Sequence, residues 1–278
     1  MILAVASGKG GTGKTTVSVN TAIAIDIPVQ LLDCDVEDPN THLFLQTEGA
    51  YEETVSIMIP EVDDSLCNGC GECGRFCEYN AIVSFGSTAI VFDDMCHGCG
   101  GCKKVCPTGA IHEIEKRIGS IETSQAGRIR LIQGRLDVGM AMSPPVIRRA
   151  KAHLRDDVPA ILDAPPGTSC PVVTTVLGAD YVILVTEPTP FGLSDLKLSV
   201  SMIRELGVPF GVVINRIGIG DTRTHDFCRD SGIPILLEIP DDQRIAEAYS
   251  RGKLIVEEIP EYRPLFKSLY RKLEKQSN

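Results

Sequence analysis

No apolar run in this chain of 278 residues approaches the roughly 20 residues that a membrane span requires. No charged leader precedes the apolar opening "MILAVASGKGG"; neither a signal nor a transit peptide is expected, and the expected location is the cytoplasm. Basic residues are scarce as well: 27 Lys and Arg stand against 37 Asp and Glu, a formal net charge of -10. That balance argues against general nucleic-acid binding, which rests on Lys and Arg contacts to phosphates, and suits a basic-surfaced partner. The remaining composition, 43% hydrophobic and 23% charged, is that of a globular protein with one or two buried cores.

Cysteine, in contrast, is abundant at eleven residues. Disulfides would explain this in a small secreted protein, but clustered cysteines in a leaderless chain more often bind metal. The spacing decides between them. Cys67, Cys70, Cys73 and Cys77 follow C-x2-C-x2-C-x3-C, and Cys96, Cys99, Cys102 and Cys106 repeat it before Pro107. This is the bacterial ferredoxin pattern for two 4Fe-4S clusters, in which the fourth cysteine of each run serves the other cluster. One cluster is therefore assigned Cys67, Cys70, Cys73 and Cys106, the other Cys96, Cys99, Cys102 and Cys77. Structural zinc has no use for four cysteines within eleven residues twice over. "CEYNAI" after the first run repeats as "CPTGAI" after the second, except that Glu78 stands where proline is usual, which is expected to alter the local turn. His97 reads as a solvent-facing spacer.

Outside the cysteine segment, apolar runs of strand length alternate with helical patterns. "ILAVA" (Ile2 to Ala6) precedes a glycine loop and a helix over about residues 14–25. "PVQLLDCD", "PAILDAPPG", "ADYVILVTEP", "PFGVVINR" and "IPILLEIP" read as further buried strands, "THLFLQ" as helical, "IETSQAGRIRLIQGRLDVG" as a hairpin and "PPVIRRAKAHL" as a helix. The fold class expected is α/β, a doubly wound, mostly parallel sheet covered on both faces, interrupted once by an α+β domain like that of bacterial ferredoxins. The expected boundaries are 1–59 and 116–278 for the core and 60–115 for the insert, whose residues 61–115 carry a net charge of about -6.

In "SGKGGTGKTT", Gly8, Gly13, Lys14 and Thr15 satisfy G-x4-G-K-S/T between a strand and a helix. Backbone N–H groups of Gly8, Gly10, Gly11, Thr12, Gly13 and Thr16 and the positive end of the helix suit phosphates. Lys14 suits the β/γ-phosphates and the Thr15 hydroxyl suits Mg2+. Asp33, Asp35 and Asp163 end predicted strands on the same side, where magnesium finds oxygen ligands; Asp38 reads as a cap for "NTHLFLQ".

"KGGTGKTT" resembles the deviant Walker A motif of the MinD/Mrp/ParA group of P-loop ATPases, which includes the nitrogenase iron protein. "DCDVEDPN" is similar to switch I of that group, "DAPPGT" to switch II of its Mrp branch, and "VINR" and "IPDDQRIAEA" to motifs near the base. The whole resembles MinD-superfamily ATPases containing an inserted ferredoxin domain. The resemblance implies that Lys9 reaches the phosphates of the other subunit in a nucleotide-sandwich dimer, with a role like an arginine finger. By the same resemblance Asp35 holds magnesium or orients the attacking water, Asp163 lies near magnesium, Gly167 approaches the γ-phosphate and Asn215 reads adenine.

The function expected is an ATP-hydrolysing iron–sulfur protein using ATP, Mg2+ and two 4Fe-4S clusters. Its nucleotide-dependent homodimer, or heterodimer with a related ATPase, gates electron transfer or iron–sulfur or metal-cofactor handling for a partner. A MinD-like positioning ATPase is the alternative, because "EYRPLFKSLYRKLEK" has an amphipathic pattern; packing of that helix on the core is favoured. An amidotransferase like cobyrinic acid a,c-diamide synthase shares the P-loop but needs a glutaminase domain, for which too few residues follow. Cys34, Cys170 and Cys228 read as packing residues, although Cys170 stands near where the nitrogenase iron protein places an intersubunit cluster ligand.

Overall fold

The computed structural model describes residues 1–277. Two compact units emerge: Met1–Glu52, Ile121–Arg135 and Ile147 onward form one, and Glu53–Ser120 with Leu136–Val146 form the other. The chain begins with strand β1 (Ile2–Ala6), passes through the glycine loop into helix α1 (Lys14–Ala24) and returns as β2 (Val29–Asp33). Then come β3 (Glu48–Val62), α2 (Glu72–Phe76), the β4 (Ile82–Phe85) and β5 (Thr88–Val91) pair, α3 (Gly101–Val105) and β6 (Ile111–Ala126). After β7 (Ile129–Leu136) and α4 (Ser143–Lys151), strands and helices alternate as β8 (Ala160–Asp163), α5 (Cys170–Val176), β9 (Tyr181–Thr186), α6 (Pro190–Leu206), β10 (Phe210–Ile217), α7 (Arg223–Asp230) and β11 (Ile235–Pro240). The helices α8 (Gln243–Ser250), α9 (Ile255–Glu258) and α10 (Arg263–Ser277) follow.

In the first unit the strand order is β11-β10-β9-β1-β8-β2-β7, with every neighbouring pair parallel. Strands β2, β8 and β9 are buried along their whole length. Burial on both faces explains their continuous aliphatic runs, since an alternating strand would place polar groups against helices. β1 lies between β8 and β9, and the chain builds outward from it in both directions, so a crevice opens at its carboxyl end. The registers Val5↔Asp163 and Asp33↔Asp163 bring the acidic ends of β2 and β8 level with the start of the glycine loop.

"THLFLQ" contributes only a 3-10 turn, Thr41–Phe44, not a helix. The fully buried Asp33 carboxylate accepts the backbone N–H groups of Asn40 and Thr41, both at 3.0 Å, and the Thr41 hydroxyl at 2.9 Å. These bonds fix a loop where the apolar spacing alone suggested a helix. Asp38 caps nothing there: the residue before the turn is Asn40, without a side-chain capping bond.

In the second unit β3 neighbours β6, and β4 pairs antiparallel with β5 from Ile82↔Val91 to Phe85↔Thr88. Its cysteine segment folds twice over the same path, offset by 29 residues as from Cys67 to Cys96. Gly69 and Gly71 adopt φ of 69° and 80°, and Gly98 and Gly100 adopt 65° and 68°, so the second cysteine of each run lies between two left-handed glycines. The turns after the runs also match: Asn80 N–H donates to the Cys77 carbonyl at 3.2 Å and Gly109 N–H to that of Cys106 at 3.4 Å. Both turns close through a left-handed residue, Asn80 or Gly109. Glu78 therefore leaves the turn unchanged, contrary to expectation, because the left-handed residue rather than the proline sets its shape.

The face of α10 that reads as amphipathic is buried: Phe266, Leu269, Tyr270 and Leu273 join the core that contains Leu3, Val17 and Leu31. Among the described residues no helix is long and apolar enough to cross a membrane. Phe266→Ala is expected to lower stability by about 3–5 kcal/mol in urea unfolding; a loss near zero would show α10 detached from the core in solution.

Candidate functional site

A cavity of about 690 Å³ opens at the carboxyl end of the parallel sheet. Gly10, Gly11, Gly13, Lys14, Thr15, Thr16, Asp35 and Asn215 all line it. The glycine loop can take this path because its residues lack Cβ atoms where space or dihedral forbids one. Gly13 has φ 98° at the start of α1, and a Cβ there would lie 2.4 Å from the Asn215 amide nitrogen. At Gly8 a Cβ would lie 2.4 Å from the Asp195 carbonyl oxygen. Asn215 fastens the loop from across the sheet, its Nδ2 donating to the Thr12 carbonyl at 2.9 Å. Gly167, at φ 98°, donates its N–H to the Ser7 carbonyl at 3.0 Å, tying the segment after β8 to the loop.

The chemistry of the lining fits a nucleotide phosphate chain with a divalent cation. Asn40 Oδ1, in the lining, is buried without a hydrogen-bond partner, as is Thr12 Oγ1 in the adjoining glycine loop, and an unpaired buried polar atom is costly unless a ligand or water meets it. Lys14 is only 7% exposed. Burial depresses its pKa, and the charges of Asp163, Asp35 and Asp33 oppose that shift. Asp163 accepts from the Ser18 hydroxyl at 3.0 Å, and the nearby Thr15 hydroxyl helps to stabilise its charge. Burial raises its pKa, with the Asp33 charge adding to the effect. The Asp35 pKa is pushed up to about 6, first by burial and then by Asp33, while Lys14 pulls it back. One cation among three carboxylates is an incomplete charge balance, and both a divalent ion and protonation relieve it.

The three strand-end acids thus differ in what surrounds them. Asp33 is occupied by backbone donors, including Asp35 N–H at 3.1 Å, and organises the loop. Asp35 and Asp163 remain as ligand candidates. Lys9 does not line the cavity; its Nζ lies 3.2 Å from Glu187 Oε2. Arg216 and Asp242, from the "VINR" and "IPDDQRIAEA" motifs, and Tyr249, to which the sequence assigns no role, do line it. Arg216 had a signal in its position directly after Asn215 at a strand end. Cys170 is exposed at the start of α5, correcting its reading as a buried thiol, whereas Cys34 and Cys228 are buried as expected. The position explains this: Cys170 opens a helix just beyond the sheet end, outside the strand-covered core.

The eight clustered cysteines face two cavities of the second unit. Cys77, Cys96, Cys99 and Cys102 line one of about 310 Å³. Cys67, Cys70, Cys73 and Cys106 line a narrower one of about 10 Å³. Each set joins three cysteines of one run to the last of the other. Backbone N–H groups of Ala81 and Gly98 donate to the sulfurs of Cys77 and Cys96 at 3.3 and 3.4 Å. Among the described residues no three His, Cys, Asp or Glu side chains gather tightly enough for a single metal ion. His97 is exposed and stacks on Tyr79, ring centroids 3.5 Å apart.

The glycine loop between a central strand and a helix, with its buried lysine and strand-end acids, defines a P-loop ATPase. Residues 3–255 match the CobQ/CobB/MinD/ParA nucleotide binding domain family, and the chain belongs to that family. It is 32% identical to an uncharacterized protein of Methanocaldococcus jannaschii across 91% of this chain and 90% of that one. It is 24% identical to an iron-sulfur cluster carrier protein of Aquifex aeolicus, across 92% of this chain and 61% of the relative. Its fold is similar to that of the cell division ATPase MinD of Pyrococcus furiosus, with a TM-score of 0.61 at 21% identity over 99% of this chain and 98% of that one.

Because the folded Asp35 binds its proton up to about pH 6, above the unfolded value near 4, its stabilising contribution is complete below the unfolded value. It is lost as pH rises through the folded one. In nucleotide-free, chelator-treated protein above pH ~7, Asp35→Asn is therefore expected to raise stability by about 1 kcal/mol after allowance for solvent screening. The gain should shrink as pH falls from about 6 toward 4 in urea melts. A destabilised variant across that range would contradict the charge balance described.

Proposed function

We propose that this ATPase carries a ferredoxin-like domain with two 4Fe-4S clusters, and that its nucleotide-dependent dimer state gates electron transfer or iron–sulfur or metal-cofactor handling for a partner protein. The single observation that carries the reading is the division of the eight cysteines between two cavities in crossed sets. Spacing within the runs, left-handed glycines around Cys70 and Cys99, and N–H groups aimed at sulfur all suit thiolate-held clusters. A bound 4Fe-4S cluster supplies a one-electron redox centre. Cys67, Cys70, Cys73 and Cys106 are assigned to one, and Cys96, Cys99, Cys102 and Cys77 to the other.

At the nucleotide, Lys14 and the loop N–H groups hold the phosphates, while Thr15, Asp35 and Asp163 hold the divalent ion or its water shell. By the resemblance Gly167, whose φ of 98° favours glycine, is assigned to approach the terminal phosphate, and Asn215, which lines the cavity, to read adenine. Lys9, turned from its own cavity, is assigned to the phosphates of a second subunit. Added positive charge there stabilises the transition state for phosphoryl transfer. If ATP binds one dimer geometry better than another, linkage requires that geometry to alter nucleotide affinity in return. The likeness to an iron-sulfur cluster carrier protein supports cofactor handling, and the acidic cysteine segment supports a basic-surfaced partner. The MinD-like positioning role draws less support, because the apolar face of α10 is buried in the core.

Lys9→Ala should bind nucleotide within about threefold of the unsubstituted protein and lose hydrolysis by about a hundredfold or more; full turnover by the variant would refute the role. Anaerobic analysis should find about eight irons per chain. The double variant Cys73→Ala/Cys106→Ala should keep about four, because both residues serve one cluster in the crossed arrangement. Loss of nearly all iron would indicate uncrossed ligation, and stoichiometric zinc in place of iron would remove the cluster reading.

A further inference from the structure

Glu187 follows β9 directly and is held in place through its backbone. Its carbonyl accepts Thr189 N–H at 2.8 Å, and Asp221 N–H, after β10, donates to the adjacent Pro188 carbonyl at 3.1 Å. The side chain is 7% exposed and meets two cations, Lys9 Nζ at 3.2 Å on one oxygen and Arg216 Nη1 at 2.7 Å on the other. Lys9 and Arg216 are themselves 34% and 50% exposed. Arg216 also lines the nucleotide cavity, and its backbone sits at φ 59°, a conformation uncommon for a residue with a Cβ. Its N–H donates to Asn215 Oδ1 at 3.0 Å while Asn215 Nδ2 bonds the Thr12 carbonyl, so loop, β9 end and β10 end meet in one network.

A buried carboxylate with one cation resists losing it, because an unpaired charge would remain in low dielectric. A carboxylate with two cations can release one and stay neutralised. Lys9, more weakly held by distance, is the cation Glu187 can release, and Arg216 is the one that stays. We propose that Glu187 and Arg216 form a latch that parks Lys9 on its own subunit and sets the protein concentration at which hydrolysis begins. The latch deepens, and rests on, the reading that Lys9 acts on the phosphates of a second subunit. Glu187 strengthens the parked state; Arg216 weakens it by covering the charge left behind. Both are positioning residues, acting through Lys9 and not on the reacting atoms.

The test measures turnover per subunit at saturating ATP and Mg2+ as a function of protein concentration. Glu187→Gln preserves shape and removes the charge, and should lower the half-activating concentration by about three- to tenfold. Glu187→Asp, which withdraws the carboxylate by one methylene, should shift it the same way by less. Arg216→Gln leaves Lys9 as the sole counter-ion and should raise it. An unchanged or raised value for both Glu187 variants would overturn the latch, as would shifts of the same sign for Glu187→Gln and Arg216→Gln. Failure of the underlying reading looks different: turnover per subunit in the unsubstituted protein would not depend on concentration, and Lys9→Ala would retain it.

Discussion

The Lys14 ammonium, nearly enclosed at the end of a parallel sheet, faces Asp33, Asp35 and Asp163 with one positive charge for three potential negative ones. Much of the surrounding structure answers that constraint. Asp33 is surrounded by backbone N–H groups and a hydroxyl, which compensate a buried carboxylate by hydrogen bonding in place of a counter-ion. Asp163 is held by the Ser18 hydroxyl of α1, with the Thr15 hydroxyl nearby. Asp35 borders the cavity and is left with the least local compensation. The site is therefore built for a ligand that brings positive charge on one side and phosphate oxygens on the other.

The parallel sheet makes this concentration of charge possible. Each strand delivers its last residue to the same edge, so β2 and β8 place acids there while β1 hands the chain to the glycine loop. Buried aliphatic registers beneath them hold the edge fixed, and α10 covers part of that core with Phe266 and Leu273. The second unit solves a different problem with fewer apolar residues. Its small buried groups contain cysteines alongside Ile82, Ile111 and Ile59, so the thiols belong to the packing as well as to the cavities. A short segment folded twice on one path then presents two similar sets of sulfur with little hydrophobic support.

The strands β1, β2, β8, β9 and β10 were legible in the sequence because near-complete burial writes a continuous aliphatic run, and the edge strand β11, exposed at Ile235, Glu238 and Pro240, was legible from its short apolar run. The glycine loop was legible because its spacing follows from the reach of backbone N–H groups to phosphate. Strand β3 was missed: its first residues are exposed and mixed in character, and neighbouring β6 supplies the pairing that local pattern did not announce. "THLFLQ" was misread because Asp33, several residues upstream, claims the N–H groups a helix would have used. The exposed thiol of Cys170 was misread for a related reason, since its surroundings are set by the end of the sheet.

The sequence by itself determined the chemistry that depends on neighbours along the chain: thiols at cluster spacing, a lysine and threonine opening a helix, and glycines where left-handed backbone is needed. Short-range geometry fixes such features wherever the segment folds. Tertiary structure alone decided that Asp33 organises a loop and that Lys9 rests on Glu187 beside Arg216. Those outcomes depend on charges and surfaces from distant segments brought together, and the energy of a buried charge is set by everything within a few ångströms of it, whatever its place in the chain.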